Sequence, residues 1–342
     1  MDDTMTSTPS RQDRPDRRRP VLRRLTSRRS TVRRPVVRRP TSGWSHEPVG
    51  PAARALPVLG QPERWRFGGS AVVVVGLLLV GFALQFIAVS QVSYVRDQQL
   101  ALDAYRFQLA NATAPVGQTG PDGRLVADGT PVAILRVPAI GLRSVVLQGT
   151  TSDVTRSGPG HRRDTPLPGQ AGASVVYGRQ TAYGGPFGKI AELRRGDTLT
   201  ATTGQGTARY RVTDVRRTGD PVPAPMAVGD GRLTLVSGAG LPFLPDTVVR
   251  VDAELVSDPV PTPTPAFGYS SLEPRELTMA GDGTVWPFVV LGLGVLAAMV
   301  ALFTVGMRLW GRRQTVVVAV PVVLAVGLFA ASQLTLLLPN LM

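Results

Sequence analysis

Three long apolar runs constrain this chain more than any other feature. Ser70–Val92 (SAVVVVGLLLVGFALQFIAVSQV) and Thr315–Pro339 carry no charge, and Trp286–Trp310 (WPFVVLGLGVLAAMVALFTVGMRLW) carries one, Arg308, near its end. About 23 such residues make a helix of roughly 35 Å, enough to cross a bilayer core. Buried helices of soluble proteins rarely run past about 14 uncharged residues, so three membrane helices are the economical reading. About 65 hydrophilic residues precede the first run and no small-residue cleavage motif follows it, so it is expected to stay as an anchor.

Charge selects the side of the membrane. The chain has 38 basic and 24 acidic residues, net +14, and about ten of those charges lie before Ser70, where arginines recur in pairs among prolines. Residues 1–69 are too poor in apolar residues to bury a core and read as a disordered cytoplasmic tail. Arg308, Arg312 and Arg313 form a second basic cluster between the last two runs, and both clusters favour the cytoplasmic face. The stretch from about 93 to 285 is then expected outside the cell, as is Pro339-Asn340-Leu341-Met342. The tail arginines suit anionic lipid headgroups. They lack interleaved aromatics for stacking on bases, so no specific nucleic-acid binding is expected.

The outer region divides by texture. Residues 93–111 are good helix formers and read as a stalk with Leu100, Leu102, Tyr105 and Leu109 near one side. A Gly/Pro/Thr-rich linker covers 112–130, and a Pro-rich one (257–285, including DPVPTPTP) leads back to the membrane. Between them, residues 131–256 read as short β-branched strands at Val132–Val137, Ser144–Leu147, Ser174–Tyr177, Leu199–Thr202, Thr207–Val215, Arg232–Val236 and Val248–Leu255. Gly204-Gln205-Gly206 is a hairpin signal, followed by alternation of Ala208, Tyr210 and Val212 with polar residues. One short helix is expected near Phe187–Leu193. The fold class is mainly β: a barrel ectodomain with one N-terminal and two C-terminal transmembrane helices, 70–92, 286–310 and 315–339.

The segments VAILRVPAIGLRSVVLQGTTSDVTRSGPGH, PLPGQAGASVVYGRQTAYGGPF, KIAELRRGDTL, YRVTDV, RLTLVSG and VDAEL, in this order, resemble the sortase family, above all its actinobacterial class E-like members. The resemblance covers about Pro131–Leu255. It implies a thiol acyltransferase barrel in which a cysteine attacks a peptide carbonyl, a histidine moves the proton and an arginine steadies the oxyanion, with no cofactor and no metal. The family's histidine pattern falls on Val175-Val176-Tyr177-Gly178-Arg179, with arginine in place of histidine. Its cysteine pattern falls on Thr234-Leu235-Val236-Ser237-Gly238, with glycine in place of cysteine. The chain contains no cysteine at all. Its arginine position falls near Thr247 or Val248, with Arg250 two residues further along the same strand face.

A guanidinium with a pKa above about 12 cannot shuttle a proton at neutral pH, and Gly238 has no nucleophile. The expectation is a catalytically degenerate sortase-like protein at the cell envelope that binds a peptide or partner protein through Arg179, Tyr183, Phe187, Ser237, Gly238 and Arg250. Arg179 suits a carboxylate or phosphate, or an internal pair with an acid such as Asp246. The alternative is acyl transfer from another nucleophile, Ser237 or Thr234. Strand alternation turns Ser237 away from the face of Gly238. His161, in the Gly158-Pro159-Gly160-His161 loop, reads as structural.

Overall fold

The computed structural model describes residues 81, 83, 85–120, 122–309 and 311–342. The proposed cytoplasmic tail and most of the first apolar run lie outside the described residues.

Eight strands close into one barrel: β1 (Pro131–Val137), β2 (Leu142–Gln148), β3 (Gly160–His161), β4 (Gly172–Tyr177), β5 (Thr198–Thr203), β6 (Gly206–Arg217), β7 (Gly231–Leu241) and β8 (Leu244–Leu255). The order around the barrel is β1-β2-β3-β4-β7-β8-β6-β5, and β5 pairs with β1 to close it. The β2/β3 and β4/β7 pairs are parallel and the others antiparallel. Closure leaves no edge strand with unpaired amides. The alternation in β6 works as its sequence implies: Ala208, Tyr210 and Val212 are buried in the barrel core with Leu199, Leu233 and Val251, while Arg209 and Arg211 are exposed. The turn at Gly204-Gln205 joins β5 to β6 as its hairpin signal implies, with Thr203 opposite Gly206.

The stalk is helix α1 (Ser90–Ala110), docked on the outside of the barrel. Tyr105 is fully buried and donates its hydroxyl to the Val132 carbonyl at 2.8 Å. About two turns earlier, Gln98 stands in for a strand: its Oε1 accepts from the Val145 amide at 2.8 Å and its Nε2 donates to the Ser157 carbonyl at 2.9 Å. Leu102 and Leu109 share the Tyr105 face, as expected, but Leu100 points to solvent. At 100° per residue it falls off the stripe that positions 98, 102, 105 and 109 define.

Several local expectations change. The helix expected near Phe187–Leu193 is a single 3-10 turn, Ile190–Glu192, because Arg194-Arg195-Gly196 stops it before an α-helical bond can form. A short helix, α2 (Ser152–Ser157), was not foreseen; the Thr151 hydroxyl caps it by accepting from the Val154 amide. The Pro-rich return segment is packed against the protein. Val260 bridges to Gln170, and Glu276 is buried in a bidentate pair with Arg163 at 2.6 and 2.7 Å.

Two apolar helices follow, α3 (Trp286–Leu309) and α4 (Arg312–Leu336). They run antiparallel: a Cβ on Gly292 would touch Ala330, and one on Gly306 would crowd Thr315. Gly283–Phe303 is long and apolar enough to cross a membrane; Val320–Leu336 is apolar over a shorter span.

Candidate functional site

The parallel pairing of β4 with β7 brings together the two segments singled out from the sequence. Tyr177 lies beside Val236, and the Gly178 amide donates to the Val236 carbonyl at 2.9 Å. Arg179 and Gly238 therefore leave adjacent strand ends. Residue 178 has to be glycine, because a Cβ there would collide with the ring of Phe187, whose own amide bonds to the Arg179 carbonyl at 3.0 Å. Phe187 thus belongs to the barrel core and fixes the backbone of the site from below.

Arg179 is fully buried. Its Nη2 donates to the Ser152 carbonyl at 3.0 Å and its guanidinium lies 5.1 Å from the centroid of the Tyr183 ring. Among the described residues, Nε and Nη1 have no hydrogen-bond partner. The pair with Asp246 does not form; that carboxylate lies beside Gly240 in the β7–β8 hairpin instead. Burial pushes the Arg179 pKa down to about 10, with Tyr183 opposing the shift and Arg156 adding to it. At neutral pH the group still keeps its proton and cannot serve as a base.

The β7–β8 register settles which residues share a face. Gly238 lies opposite Val248 and Val236 opposite Arg250, whereas Ser237 pairs with Val249, a barrel-core residue. Directly opposed residues point to the same side, so the Ser237 hydroxyl faces the interior, fully buried and without a partner among the described residues. Arg250 sits one face-step from Gly238 and has no carboxylate partner among the described residues. Thr234 donates to Asp252, which also pairs with Arg216, so its hydroxyl is engaged within the sheet. His161 is buried in β3, with Nδ1 2.9 Å from Gln148 Oε1 and Nε2 3.0 Å from the Pro166 carbonyl. Burial pushes its pKa down to about 4.

The space above Gly238 is not empty. The Leu341 carbonyl accepts from the Gln180 amide at 3.0 Å and from the Gly238 amide at 3.3 Å. Its side chain is fully buried against Tyr177, Val236 and Val248. Two converging backbone amides are the arrangement that stabilises a carbonyl oxygen gathering negative charge. Neither Leu341 nor the polar groups that hold its neighbours, Thr150 and Ser152, could be singled out from the sequence, where they are ordinary residues of an apolar tail and a loop. A cleft of about 630 Å³ lies elsewhere, between α1, α2 and the residues around Arg275 and Asp282.

The Sortase domain family model matches residues 135–238. Among solved structures, sortase E from Streptomyces avermitilis is 31% identical, covering 39% of this chain and 91% of that one with a TM-score of 0.34. The Sortase D5 transpeptidase from Clostridium perfringens is 19% identical over 47% of this chain and 99% of that one, TM-score 0.40. Sortase C from Clostridium perfringens, solved with the C-terminal cell wall sorting motif, is 20% identical over 48% and 89%, TM-score 0.36. No curated protein matches. The family-model match identifies residues 135–238 as a Sortase domain, and the closed barrel contains that stretch.

Proposed function

We propose that this chain is a membrane-anchored, extracytoplasmic member of the sortase family whose site is built to grip an extended peptide backbone at the cell envelope without cleaving it. The observation that carries the reading is the pair of amides, Gln180 and Gly238, gripping a peptide carbonyl beside a position that has no nucleophile. The nearest candidate for the proton-transfer role, Arg179, stays charged. The chain then retains what recognises a peptide backbone and lacks what breaks it.

The apolar helices α3 and α4 support anchoring, and the basic residues of the N-terminal tail and of the Arg308–Arg313 turn support an orientation with the barrel outside. The tail adds a contact for anionic lipid. The test is to incubate the full chain in detergent with sorting-signal peptides and a nucleophilic amine. The expected result is neither cleavage nor transfer, and no acyl adduct by mass spectrometry. Turnover that persists after repurification refutes the reading; a covalent adduct from a serine-reactive probe, lost in Ser237→Ala, assigns it to Ser237.

A further inference from the structure

Beyond α4 the chain folds back onto the barrel. The Ser152 hydroxyl donates to the Leu338 carbonyl at 2.7 Å. Asn340 is fully buried; its Nδ2 donates to the Thr150 carbonyl at 2.7 Å and the Leu277 carbonyl at 2.9 Å, and its amide to the Ala280 carbonyl at 2.8 Å. Met342 packs with Ala182 and Tyr183, the residue that also lies over Arg179. Leu341 completes the seat, with its carbonyl between the two amides and its side chain in the pocket of Tyr177, Val236 and Val248.

Glycine at 238 is a condition of this arrangement. A Cβ there would stand 2.9 Å from the Leu341 oxygen and 2.8 Å from the Pro245 Cβ, closer than real Cβ atoms approach. The backbone at 238 is not in the left-handed region, so space and not conformation demands the glycine. The peptide that a side chain on residue 238 would meet first is Leu341–Met342.

We propose that Leu338–Met342 is a built-in occupant of the peptide site, a pseudo-ligand seated in cis that closes the groove to peptides in trans and ties the end of α4 to the barrel. This rests on the peptide-holding reading only in assigning the seat to peptides at all. The Asp282 amide bonds to the Leu336 carbonyl at 2.8 Å, so the segment leaves its seat only when the end of α4 and the Ala280–Asp282 turn move with it.

The test compares the full chain with Leu341→Asp and with a deletion of residues 340–342, all in phosphatidylcholine–phosphatidylglycerol nanodiscs. Two readouts are taken: hydrogen exchange resolved at Gln180 and Gly238, and anisotropy of a labelled synthetic peptide of sequence LLPNLM. The intact chain is expected to protect both amides and to ignore the peptide. In the variants, exchange at both amides should rise about tenfold or more, the effect of one lost hydrogen bond of about 1.4 kcal/mol. The deletion should also capture the peptide. Unchanged protection at Val212 and Ala201 shows that the barrel remains folded. Gln180 and Gly238 amides that exchange equally slowly after the deletion overturn the proposal, as does peptide binding to the intact chain as tight as to the deletion. Deprotection without capture upholds the seat and instead removes the peptide-holding reading.

Discussion

Replacing Arg179 with methionine should stabilise the protein. The guanidinium is fully buried with one hydrogen bond, and two of its nitrogens are unpaired. Burial pushes its pKa well below the usual guanidinium range, to about 10. That shift means that folding disfavours the charged guanidinium by about 3 kcal/mol relative to its own deprotonated form, a measure of the desolvation that a neutral side chain would escape. Methionine fills a similar volume without the charge. It forfeits the bond to the Ser152 carbonyl and the contact over Tyr183, together about 1–2 kcal/mol. The balance is a gain of about 1–2 kcal/mol, which for a domain of this size raises the melting temperature by about 3–6 °C. Thermal unfolding of the full chain in detergent, followed by the far-ultraviolet β signal, measures it. Arg179→Lys keeps the charge without the fork and should show no gain. A fall in melting temperature for Arg179→Met would refute the reasoning, because it would require a compensating anion beside the guanidinium in the native protein.

Three further outcomes follow from the geometry. His161 is neutral and buried with a pKa of about 4 against 6.5 when unfolded; its contribution of about 3 kcal/mol is fully present above pH 6.5 and is lost as pH falls toward 4, so thermal midpoints should drop over that window and drop less in His161→Gln. Gly238→Ala should cost about 2–4 kcal/mol in the full chain, from two displaced hydrogen bonds and the burial of Leu341, and markedly less when residues 340–342 are deleted; equal costs in the two backgrounds would contradict the crowding at Leu341. Glu276→Gln should cost about 2–4 kcal/mol in the same unfolding assay, since it breaks a bidentate pair with Arg163 whose carboxylate is only 1% exposed.

The barrel was legible because its signals are local. Alternation in β6 and the Gly204-Gln205 turn each follow from neighbours within a few residues, and together they fix register. β3 was not legible: two residues, Gly160 and His161, carry no periodicity, and they pair only because the backbone of Gly149 comes so close that a Cβ on Gly160 has no room. The candidate site was half legible. The resemblance to the sortase motifs singles out Arg179 and Gly238 together, and strand alternation turns Ser237 to the opposite face. The role of Leu341 was hidden, because in sequence it continues the apolar texture of α4. The groups that distinguish it from a membrane residue, the amides of Gln180 and Gly238, stand more than a hundred positions away.

The glycine at 238 and the seated segment above it are therefore parts of one arrangement. A cysteine at that position would put its Cβ against the Leu341 carbonyl, so the chain could not keep both a thiol and this close a backbone contact without moving Pro245 or the segment. With glycine the carbonyl approaches until both amides reach it. On the proposed peptide-holding reading, binding energy that catalysis would reserve for a transition state goes into holding a ground state. The peptide proposed to be held has the end of α4 attached, so on that proposal the strength of the grip sets how firmly the apolar hairpin and the barrel stay together.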